Sequence, residues 1–420
     1  MTLRDERAQL VAWIDAERDD LVSFLSHLVR TASPNPPGDT RAAAAVLEEW
    51  LRCRALPVRV VAPRAEMPNL VASFEGAKPG RHLVLNGHLD VFPCDDTDRW
   101  THPPWGGDVA DGRVWGRGVS DMKNGTAALL FAFGWLSRLA DRLPGRLTYT
   151  AVSDEETGGT WGARYLVDHC PDVLGDCLLN AEPGAPSTIR FGEKGILRAA
   201  VIVETPGCHG AYTHKSPSAT RIAARIAGEL AVIDDLPVAM DGAVEQALNE
   251  AAAEIDRIHV EGAAGAIKRF TLNIGVVRGG VKVNMLPGNC RLECDVRVPV
   301  GETTEKALAC MREIVTAHKG ARLEVMGFAD PNWSDPGHPM VGHLSQACTE
   351  TFGFRPFAIT SLGATDARIW RAKGVPAFTY GTTATNVAMP DEHTDIVEWL
   401  GVVKTLTLAA HAYLHAEARS

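Results

Sequence analysis

The length and composition of the chain describe an ordinary globular protein with more than one core. It has 420 residues, of which 45% are hydrophobic and 22% are charged, and its formal net charge is −10. Because a single core rarely extends over so many residues, two domains are expected. The sequence has no basic block or stripe, so a nucleic-acid partner is not expected.

Export and membrane signals are missing from the sequence. Residues 1–20 are charged and lack the apolar region of a signal peptide. No run of about 18 uninterrupted apolar residues, the length that spans a bilayer, occurs. The nine cysteines are an odd number without a C-x-x-C pair, and Cys290 and Cys294 share one face of a predicted strand. We therefore expect reduced cysteines, a cytoplasmic protein and no membrane partner.

The first part of the chain alternates predicted helices with short apolar strands. Helical spacing of apolar residues predicts helices over 8–30 and 40–54, separated by a Pro-rich break, and a long apolar helix that begins near Thr126. Strands are predicted at 58–61, 69–74, 82–86, 149–152 and 177–180. This order of elements is typical of an α/β domain.

The pattern changes after residue 195. A strand at 196–204, a helix at 219–230, a helical alanine-rich stretch at 231–268, strands at 270–277 and 289–298, a helix at 304–318 and a strand at 322–328 follow one another. Without the alanine-rich stretch, this is the split-βαβ order of a small α+β domain. A helix at 340–352, a strand at 377–381 and a last helix at 395–418 then resume the first pattern. The small domain is therefore predicted to be inserted into the larger one.

Histidine and acidic side chains follow the ends of several predicted strands. His88 ends one strand and Asp90 comes two residues later, the acids 154–156 follow the next strand, and Glu182 and His393 follow two others. In open α/β sheets, ligands bind beyond the carboxyl ends of the strands. Imidazole nitrogen and carboxylate oxygen suit hard or borderline metal ions. The sequence therefore predicts a metal centre at this edge.

Taken singly, each of these residues also has an ordinary structural explanation. Asp121 stands where a helix begins and could cap it, His88 could be a core histidine, and Glu156 could be a solvated loop acid. The adjacent acids 154–156 repel one another unless positive charge lies nearby. Two metal ions would supply that charge, so the ordered set favours a metal centre.

The same stretches resemble the M20 metallopeptidase family, which includes acetylornithine deacetylase, succinyl-diaminopimelate desuccinylase, aminoacylase and carboxypeptidase G2. The matching segments are residues 87–90, 116–125, 154–156, 181–183 and His393. The resemblance covers nearly the whole chain. It implies a zinc-peptidase-like α/β catalytic domain, with a mixed sheet and helices on both faces, formed by 1–195 and 329–420. It also implies an inserted ferredoxin-like α+β lid and dimerisation domain at 196–328.

For the metal centre, the resemblance implies two Zn²⁺ ions per chain, with Co²⁺ or Mn²⁺ as alternatives. Asp121 would bridge the two ions. His88 and Glu182 would complete the protein ligands of one ion, and Glu156 and His393 those of the other. The segment around His393 departs from the commonest family pattern because an acid stands close on each side of the histidine.

The resemblance also implies three catalytic residues. Asp90 would orient the imidazole of His88. Glu155 would act as general base toward a water shared by the two metal ions, and would later pass the proton to the leaving amine. His209, in a stretch like the family's G-x-x-H-G, would stabilise the tetrahedral oxyanion, often across a dimer interface. A turn cap is the alternative role of His209.

Four further residues match family positions that contact substrate: Asn284, Arg297, Gly363 and Asp366. Arg297 could pair with a substrate carboxylate, and a structural ion pair is its alternative. Asp366 lies in a segment that resembles the family's G-x-T-D-A-R, and a helix cap is its alternative.

We therefore predict a metal-dependent hydrolase that removes an N-acyl group from an amino acid or similar small carboxylate, as a homodimer formed through the lid. A dipeptidase or carboxypeptidase is an alternative, as is a hydrolytic deaminase or carbamoylase on the same centre. A metal-binding relative without activity is a further alternative, against which Glu155 and the full ligand set argue. A dinucleotide oxidoreductase is excluded because Gly116-Arg117-Gly118 does not follow a strand in the G-x-G-x-x-G form.

Overall fold

The computed structural model describes residues 2–95 and 99–416. The chain divides into two compact units. The larger one comprises the residues up to 191, 334–359 and those from 365 onward, and the smaller one comprises 192–333 and 360–364. Within the described ranges, no helix combines the length and apolar character that crossing a bilayer requires.

The helices, in chain order, are α1 (Leu3–Ala16), α2 (Arg18–Arg30), α3 (Arg41–Cys53), α4 (Asn124–Ser137), α5 (Ala163–His169), α6 (Ala219–Glu229), α7 (Gly242–Glu250), α8 (Ala252–His259), α9 (Ala263–Ile267), α10 (Thr304–Thr316), α11 (Pro339–Phe352), α12 (Ala367–Arg371) and α13 (Ile396–His415). The strands are β1 (Val58–Val61), β2 (Asn69–Glu75), β3 (Lys78–His88), β4 (Val109–Ala110), β5 (Arg113–Trp115), β6 (Pro144–Val152), β7 (Cys177–Asn180), β8 (Thr188–Glu193), β9 (Gly195–Glu204), β10 (Cys208–His209), β11 (Thr271–Gly279), β12 (Met285–Leu286), β13 (Asn289–Val298), β14 (Ala321–Ala329), β15 (Asn332–Trp333), β16 (Phe357–Ser361), β17 (Ala377–Thr379) and β18 (His393–Asp395).

The predicted helix over 8–30 is wrong as a single element, because the chain forms α1 and α2 with a break at Glu17. The backbone of Glu17 leaves the helical range there, with φ −98° and ψ 15°. Its carboxylate accepts hydrogen bonds from Trp135 Nε1 at 2.9 Å and from Arg138 Nη1 at 2.6 Å. The apolar periodicity continues across the break, so the sequence pattern gave no sign of it. Of the predicted last helix, residues 417–418 lie outside the described residues.

A mixed sheet forms the centre of the larger unit, in the order β1-β2-β6-β3-β7-β17-β8. Strand β3 runs parallel to both β6 and β7, and β17 runs parallel to β7. Helices α4 and α13 pack against β3 on one face. On the other face, Val84 and Leu178 share an apolar cluster with Leu166 of α5 and Trp370 of α12. The predicted mixed sheet with helices on both faces is confirmed.

Helix α4 is the most buried element of the larger unit. Every residue from Asn124 to Leu136 is buried, as expected for a helix that is apolar all round. Phe131 of α4 packs with the rings of Phe24 and Trp50, and the three ring centroids lie 4.8–6.3 Å apart. A Cβ built on Gly134 would lie 2.4 Å from Trp50 Cη2. Glycine is therefore required at this point of the helix.

The smaller unit has a four-stranded antiparallel sheet in the order β11-β13-β9-β14. Together with α6 and α10 it follows the ferredoxin-like βαββαβ path, as predicted. The alanine-rich stretch forms α7, α8 and α9. All nine cysteines are free. Cys290 and Cys294, both on β13, are buried in the core of this unit.

Two helix glycines of the larger unit allow a matched test of this packing. Changing Gly134 to Ala should destabilise the unit by about 1–3 kcal/mol, because the new methyl group overpacks against Trp50. Changing Gly342 of α11, which has no heavy atom within 4 Å of its Cβ position, should stabilise it by about 0.5–1 kcal/mol. Thermal denaturation of both variants measures the two shifts. Equal shifts would show that contact with Trp50 does not constrain position 134.

Candidate metal centre

The candidate site lies at one edge of the mixed sheet, where three adjacent strands end. His88 is the last residue of β3, Glu155 and Glu156 lie in the turn after β6, and Glu182 comes two residues after β7. Because β6, β3 and β7 are neighbours and run parallel, their carboxyl ends meet.

Three predicted ligands converge on one point. His88 Nε2 lies 3.2 Å from Asp121 Oδ1 and 3.4 Å from Glu182 Oε1. The candidate ligand atoms of these three residues all lie within 4.8 Å of one another. His88 and Glu182 are buried, and the side chain of Asp121 is 15% exposed. The sequence therefore predicted these three residues as one group, and the fold assembles them.

Asp121 does not cap helix α4, which was its alternative role. It lies three residues before α4, in a wide turn at Val119–Lys123. Its own backbone is extended, with φ −119° and ψ 97°. The side chain consequently points to His88, where it can hold a cation.

A buried ion pair, which sequence reasoning missed, holds this turn. Glu392 Oε1 accepts hydrogen bonds from the backbone N–H of Ser120 at 2.9 Å and of Asp121 at 3.1 Å. Its other oxygen accepts from Arg117 Nη1 at 2.7 Å, and both side chains are 1% exposed. The acid beside His393 was visible in the sequence, but no local spacing indicates a contact with residues 271 and 272 positions away.

Asp90 anchors the turn that carries the two glutamates. Its carboxylate accepts hydrogen bonds from the backbone N–H of Glu155 and of Glu156, each at 3.1 Å, and from Asn35 Nδ2 at 2.8 Å. Asp90 was predicted to orient the imidazole of His88. The backbone carbonyl of Asp90 does so, because it lies 2.8 Å from His88 Nδ1, whereas the Asp90 carboxylate is 3.8 Å from that nitrogen. Because a carbonyl only accepts, Nδ1 carries a proton and Nε2 faces the acids.

Asp154 is separate from the site, although it is adjacent to Glu155. Its backbone takes the left-handed conformation, with φ 72°. Its carboxylate accepts hydrogen bonds from Trp161 N at 2.9 Å, from Asn35 Nδ2 at 3.3 Å and from the Thr157 hydroxyl. The three adjacent acids therefore do not all face one another, and Asp154 shapes the turn.

In the remaining acids, burial and neighbouring carboxylates outweigh the nearby positive charge. Burial, with the Asp121 carboxylate adding to it, raises the pKa of Glu156 to about 9. Burial likewise raises the pKa of Glu182 and, well above its ordinary value, that of Glu155. Burial opposes a charged His88, but the carboxylates of Glu182 and Asp121 outweigh it and raise its pKa.

The donor set fits a divalent metal ion. Buried oxygens of Glu156 and Glu182 have no hydrogen-bond partner, so they are free to coordinate. A cation would also favour the charged forms of these carboxylates and so lower their pKa values. Imidazole nitrogen with carboxylate oxygen is a usual combination for Zn²⁺, Co²⁺ or Mn²⁺.

The structure does not bring His393 into this group. Its Nδ1 lies 2.9 Å from the Asp391 carbonyl, and its ring packs against Trp115 with centroids 4.3 Å apart. All three residues of the predicted second site are described, and Asp121, Glu156 and His393 do not form a comparable group with ligand atoms within 4.8 Å of one another. The role of His393 as a ligand stays a prediction.

Asp366 is fully buried, and both of its carboxylate oxygens lack a hydrogen-bond partner. It does not cap α12, because Thr365 Oγ1 accepts the hydrogen bond from Ala367 N at 3.2 Å. Burial raises the pKa of Asp366 to about 7, and its carboxylate adds to the raised pKa of Glu155. Arg368 Nη2 lies 3.8 Å from Glu155 Oε1, a contact that sequence reasoning also missed.

The other predicted site residues belong to the smaller unit. His209 is exposed, and its Nδ1 accepts a hydrogen bond from Ala211 N at 3.2 Å. Asn284 is exposed, and its carbonyl accepts from Gly210 N at 2.8 Å. Arg297 Nε pairs with Asp295 Oδ1 at 2.6 Å, which is its alternative structural role, and Gly363 N donates to Ser361 Oγ at 3.1 Å. Their contacts with substrate stay predictions.

Comparison with known proteins identifies the family. The sequence profile of Peptidase family M20/M25/M40 matches residues 84–412. The chain belongs to this family. Membership makes it a metal-dependent amidohydrolase, which agrees with the ligand group around His88.

Individual relatives agree with this assignment. Succinyl-diaminopimelate desuccinylase from Cereibacter sphaeroides is 26% identical over 391 residues, which cover 90% of this chain and 95% of that protein. The M20 family metallo-carboxypeptidase Sso-CP2 from Sulfolobus solfataricus matches with a TM-score of 0.78 at 18% identity, over 95% of this chain and 99% of its own. The dipeptidase Dug1p from Saccharomyces cerevisiae matches with a TM-score of 0.74 at 16% identity, over 98% and 99%. At these identities, the two structures show a shared fold.

The contacts of Glu392 predict a positioning effect on the metal centre of this family member. Glu392 accepts hydrogen bonds from three donors, the backbone N–H groups of Ser120 and Asp121 and the side chain of Arg117. In Glu392→Gln, an NH₂ group replaces one accepting oxygen, so the turn that carries Asp121 loses at least one of these hydrogen bonds. We expect metal affinity to fall by about 10–100-fold, measured by competition with a chromophoric chelator. Glu398→Gln is the control, because Glu398 also accepts a backbone N–H, from Thr383 at 2.6 Å, outside the centre. Unchanged affinity in Glu392→Gln would contradict the assignment.

Proposed function

We propose that this protein hydrolyses the amide bond of an N-acyl amino acid or similar small carboxylate, with Glu155 as general base. The observation that carries the proposal is the position of Glu155. It lies beside the group of His88, Asp121 and Glu182 without belonging to it, and Asp90 fixes its backbone. Its side chain is 11% exposed, so it is withdrawn from bulk water but still accessible.

In this proposal, His88, Asp121 and Glu182 hold one Zn²⁺ ion, and Glu156, beside Asp121, contributes to a second one with His393. A divalent metal ion at these residues supplies positive charge that acidifies water and polarises the substrate carbonyl. The fixed Nδ1 hydrogen bond of His88 keeps Nε2 directed at the site. Glu392 and Arg117 keep Asp121 in place.

Glu155 moves the proton. Its carboxylate accepts a proton from the attacking water and then donates it to the nitrogen of the leaving amine. Asp366 adds to the raised pKa of Glu155, and Arg368, 3.8 Å from its carboxylate, opposes that rise. Asp90 fixes the direction in which the side chain leaves the backbone.

Deacylation is favoured over peptide hydrolysis by the higher sequence identity of one relative, 26% against 18% and 16% for the two peptidases. The succinyl-diaminopimelate desuccinylase is similar along 90% of this chain, whereas the likeness to the carboxypeptidase and the dipeptidase supports the fold alone. For the acyl group, we propose only its class, which is a small acyl chain on the nitrogen of an amino acid.

We further propose that the smaller unit is a lid and a homodimer interface. His209 would stabilise the oxyanion from this unit, and its exposed side chain is free to do so. Large apolar side chains are exposed on both edge strands of its sheet, β11 and β14, in the loop after β11 and on β12, which supports a partner surface. These side chains belong to Val277, Val281, Val283, Met285, Val325, Met326 and Phe328.

Replacing Glu155 with Gln tests the general-base role. The amide cannot take a proton, so we expect kcat to fall by about 10²–10⁴-fold. Metal content should stay that of the parent, because Glu155 is not a ligand in the proposal. Glu75→Gln is the control, since the side chain of Glu75 is 72% exposed. Near-normal turnover in Glu155→Gln would exclude this role.

Amine release from a panel of substrates tests the substrate class. The panel contains N-formyl, N-acetyl, N-succinyl and N-carbamoyl amino acids together with dipeptides, with added Zn²⁺, Co²⁺ or Mn²⁺. We expect cleavage confined to acylated amino acids and lost on chelation. Cleavage of dipeptides alone would make the protein a peptidase, and cleavage of the carbamoyl compounds alone would make it a carbamoylase.

A further inference from the structure

A second group of candidate ligands lies outside the catalytic site, between the first and the last helix. It consists of Glu6 on α1 and of His411 and His415 on α13. The two histidines are at the opposite end of α13 from His393. His411 is about 22 Å along the helix from Ile396, at 1.5 Å per residue.

The three side chains point at one another. His411 Nε2 lies 2.9 Å from Glu6 Oε2, and His415 Nε2 lies 3.2 Å from the same oxygen. Because the histidines are four residues apart on a helix, their rings share one face, with centroids 4.5 Å apart. Ligand atoms around a tetrahedral Zn²⁺ are about 3.3 Å apart, given Zn–N and Zn–O distances near 2.0–2.2 Å. The observed spacing is close to that of a bound set.

Hydrogen bonds alone leave the group incomplete. His411 Nε2 is hydrogen-bonded to Glu6. His415 Nε2, despite its short distance, is buried and has no hydrogen-bond partner. The side chains of Glu6 and His411 are 5% and 1% exposed, whereas that of His415 is 15% exposed and leaves an entry path. His415 Nε2 thus contacts the Glu6 carboxylate without hydrogen-bond geometry, and a metal ion between them would satisfy both atoms.

The surroundings allow a cation. Burial lowers the pKa of His411 to about 4 and also lowers the pKa of His415, so both rings are neutral at pH 7 and can coordinate. The group lies at the C-terminal end of α13, where the helix dipole favours positive charge. Arg7, the nearest guanidinium on α1, is paired with Glu350 at 2.5 Å and with the Leu408 carbonyl at 3.0 Å. Arg7 lowers the pKa of His411, and Lys78 lowers that of His415.

We propose that Glu6, His411 and His415 bind one transition-metal dication, such as Zn²⁺, Co²⁺ or Ni²⁺, in a site separate from the catalytic centre. Two imidazoles and one carboxylate suit borderline metals better than Ca²⁺ or Mg²⁺. The ion ties the first helix of the larger unit to the last one. This site is structural and does not depend on the proposed hydrolytic function.

Metal counting tests the site in the full-length protein. The protein is stripped with a chelator, loaded with Zn²⁺ and freed of excess by gel filtration, and bound zinc is measured by mass spectrometry. We expect the parent to hold one equivalent more than His415→Gln or Glu6→Gln, and its melting temperature to rise more on loading. His318→Gln is the matched control, because His318 pairs with Glu229 at 2.7 Å without a third ligand in the described chain. Equal zinc content in all four proteins would overturn the proposal.

A second measurement uses only the parent protein, so it does not depend on a variant that folds. Diethyl pyrocarbonate modification of the metal-free and zinc-loaded protein is mapped by mass spectrometry. Zinc should protect His415 several-fold while leaving His318 reactive. Equal modification of His415 with and without zinc would overturn the proposal, whatever the activity of the enzyme.

Discussion

One electrostatic constraint dominates the larger unit: several carboxylates lie close together at the carboxyl end of β3. Asp121, Glu155, Glu156 and Glu182 share a largely water-free space with a single imidazole, His88. At an effective dielectric constant near 20, two like charges 4 Å apart repel by about 4 kcal/mol. Without a cation, protonation relieves that repulsion, as the raised pKa values of Glu155, Glu156 and Glu182 show. The site therefore carries excess negative charge, which a bound metal ion would neutralise. The acids stay in place because their backbones are fixed.

Two further acids, Asp90 and Glu392, fix the backbone of the residues in the site. Asp90 accepts the backbone N–H groups of Glu155 and Glu156, and Glu392 accepts those of Ser120 and Asp121. In both cases a carboxylate orients a turn through main-chain groups, and the functional side chain of that turn is left to face the site. Glu392 has a partner in Arg117, so its own charge is compensated. Rigidity at the centre thus comes from the layer behind the ligands.

Local sequence patterns gave the strands and the ligand group but not the contacts that orient them. The predicted bounds of β1, β7 and β13 agree with the structure, because runs of apolar residues between polar ends depend only on neighbours along the chain. The strand ends predicted the positions of His88 and Glu182, because parallel strands bring their ends together, whereas Asp121 was predicted from the resemblance to the M20 family. Glu392 was not, because its partners are distant in sequence. The break at Glu17 and strands β8 and β16 depend on tertiary contacts, and no local pattern records them.

The larger unit is built from both ends of the chain, and this has a consequence for its synthesis. Strand β17 lies inside the sheet, between β7 and β8, although it is encoded almost 200 residues after β7. While the nascent chain leaves the ribosome, β7 has no neighbour on that side until residues 377–379 emerge. All of the smaller unit, residues 192–333 and 360–364, is translated before then. The smaller unit can thus complete its core while the sheet of the larger unit still has an open, apolar edge that cellular chaperones would need to shield.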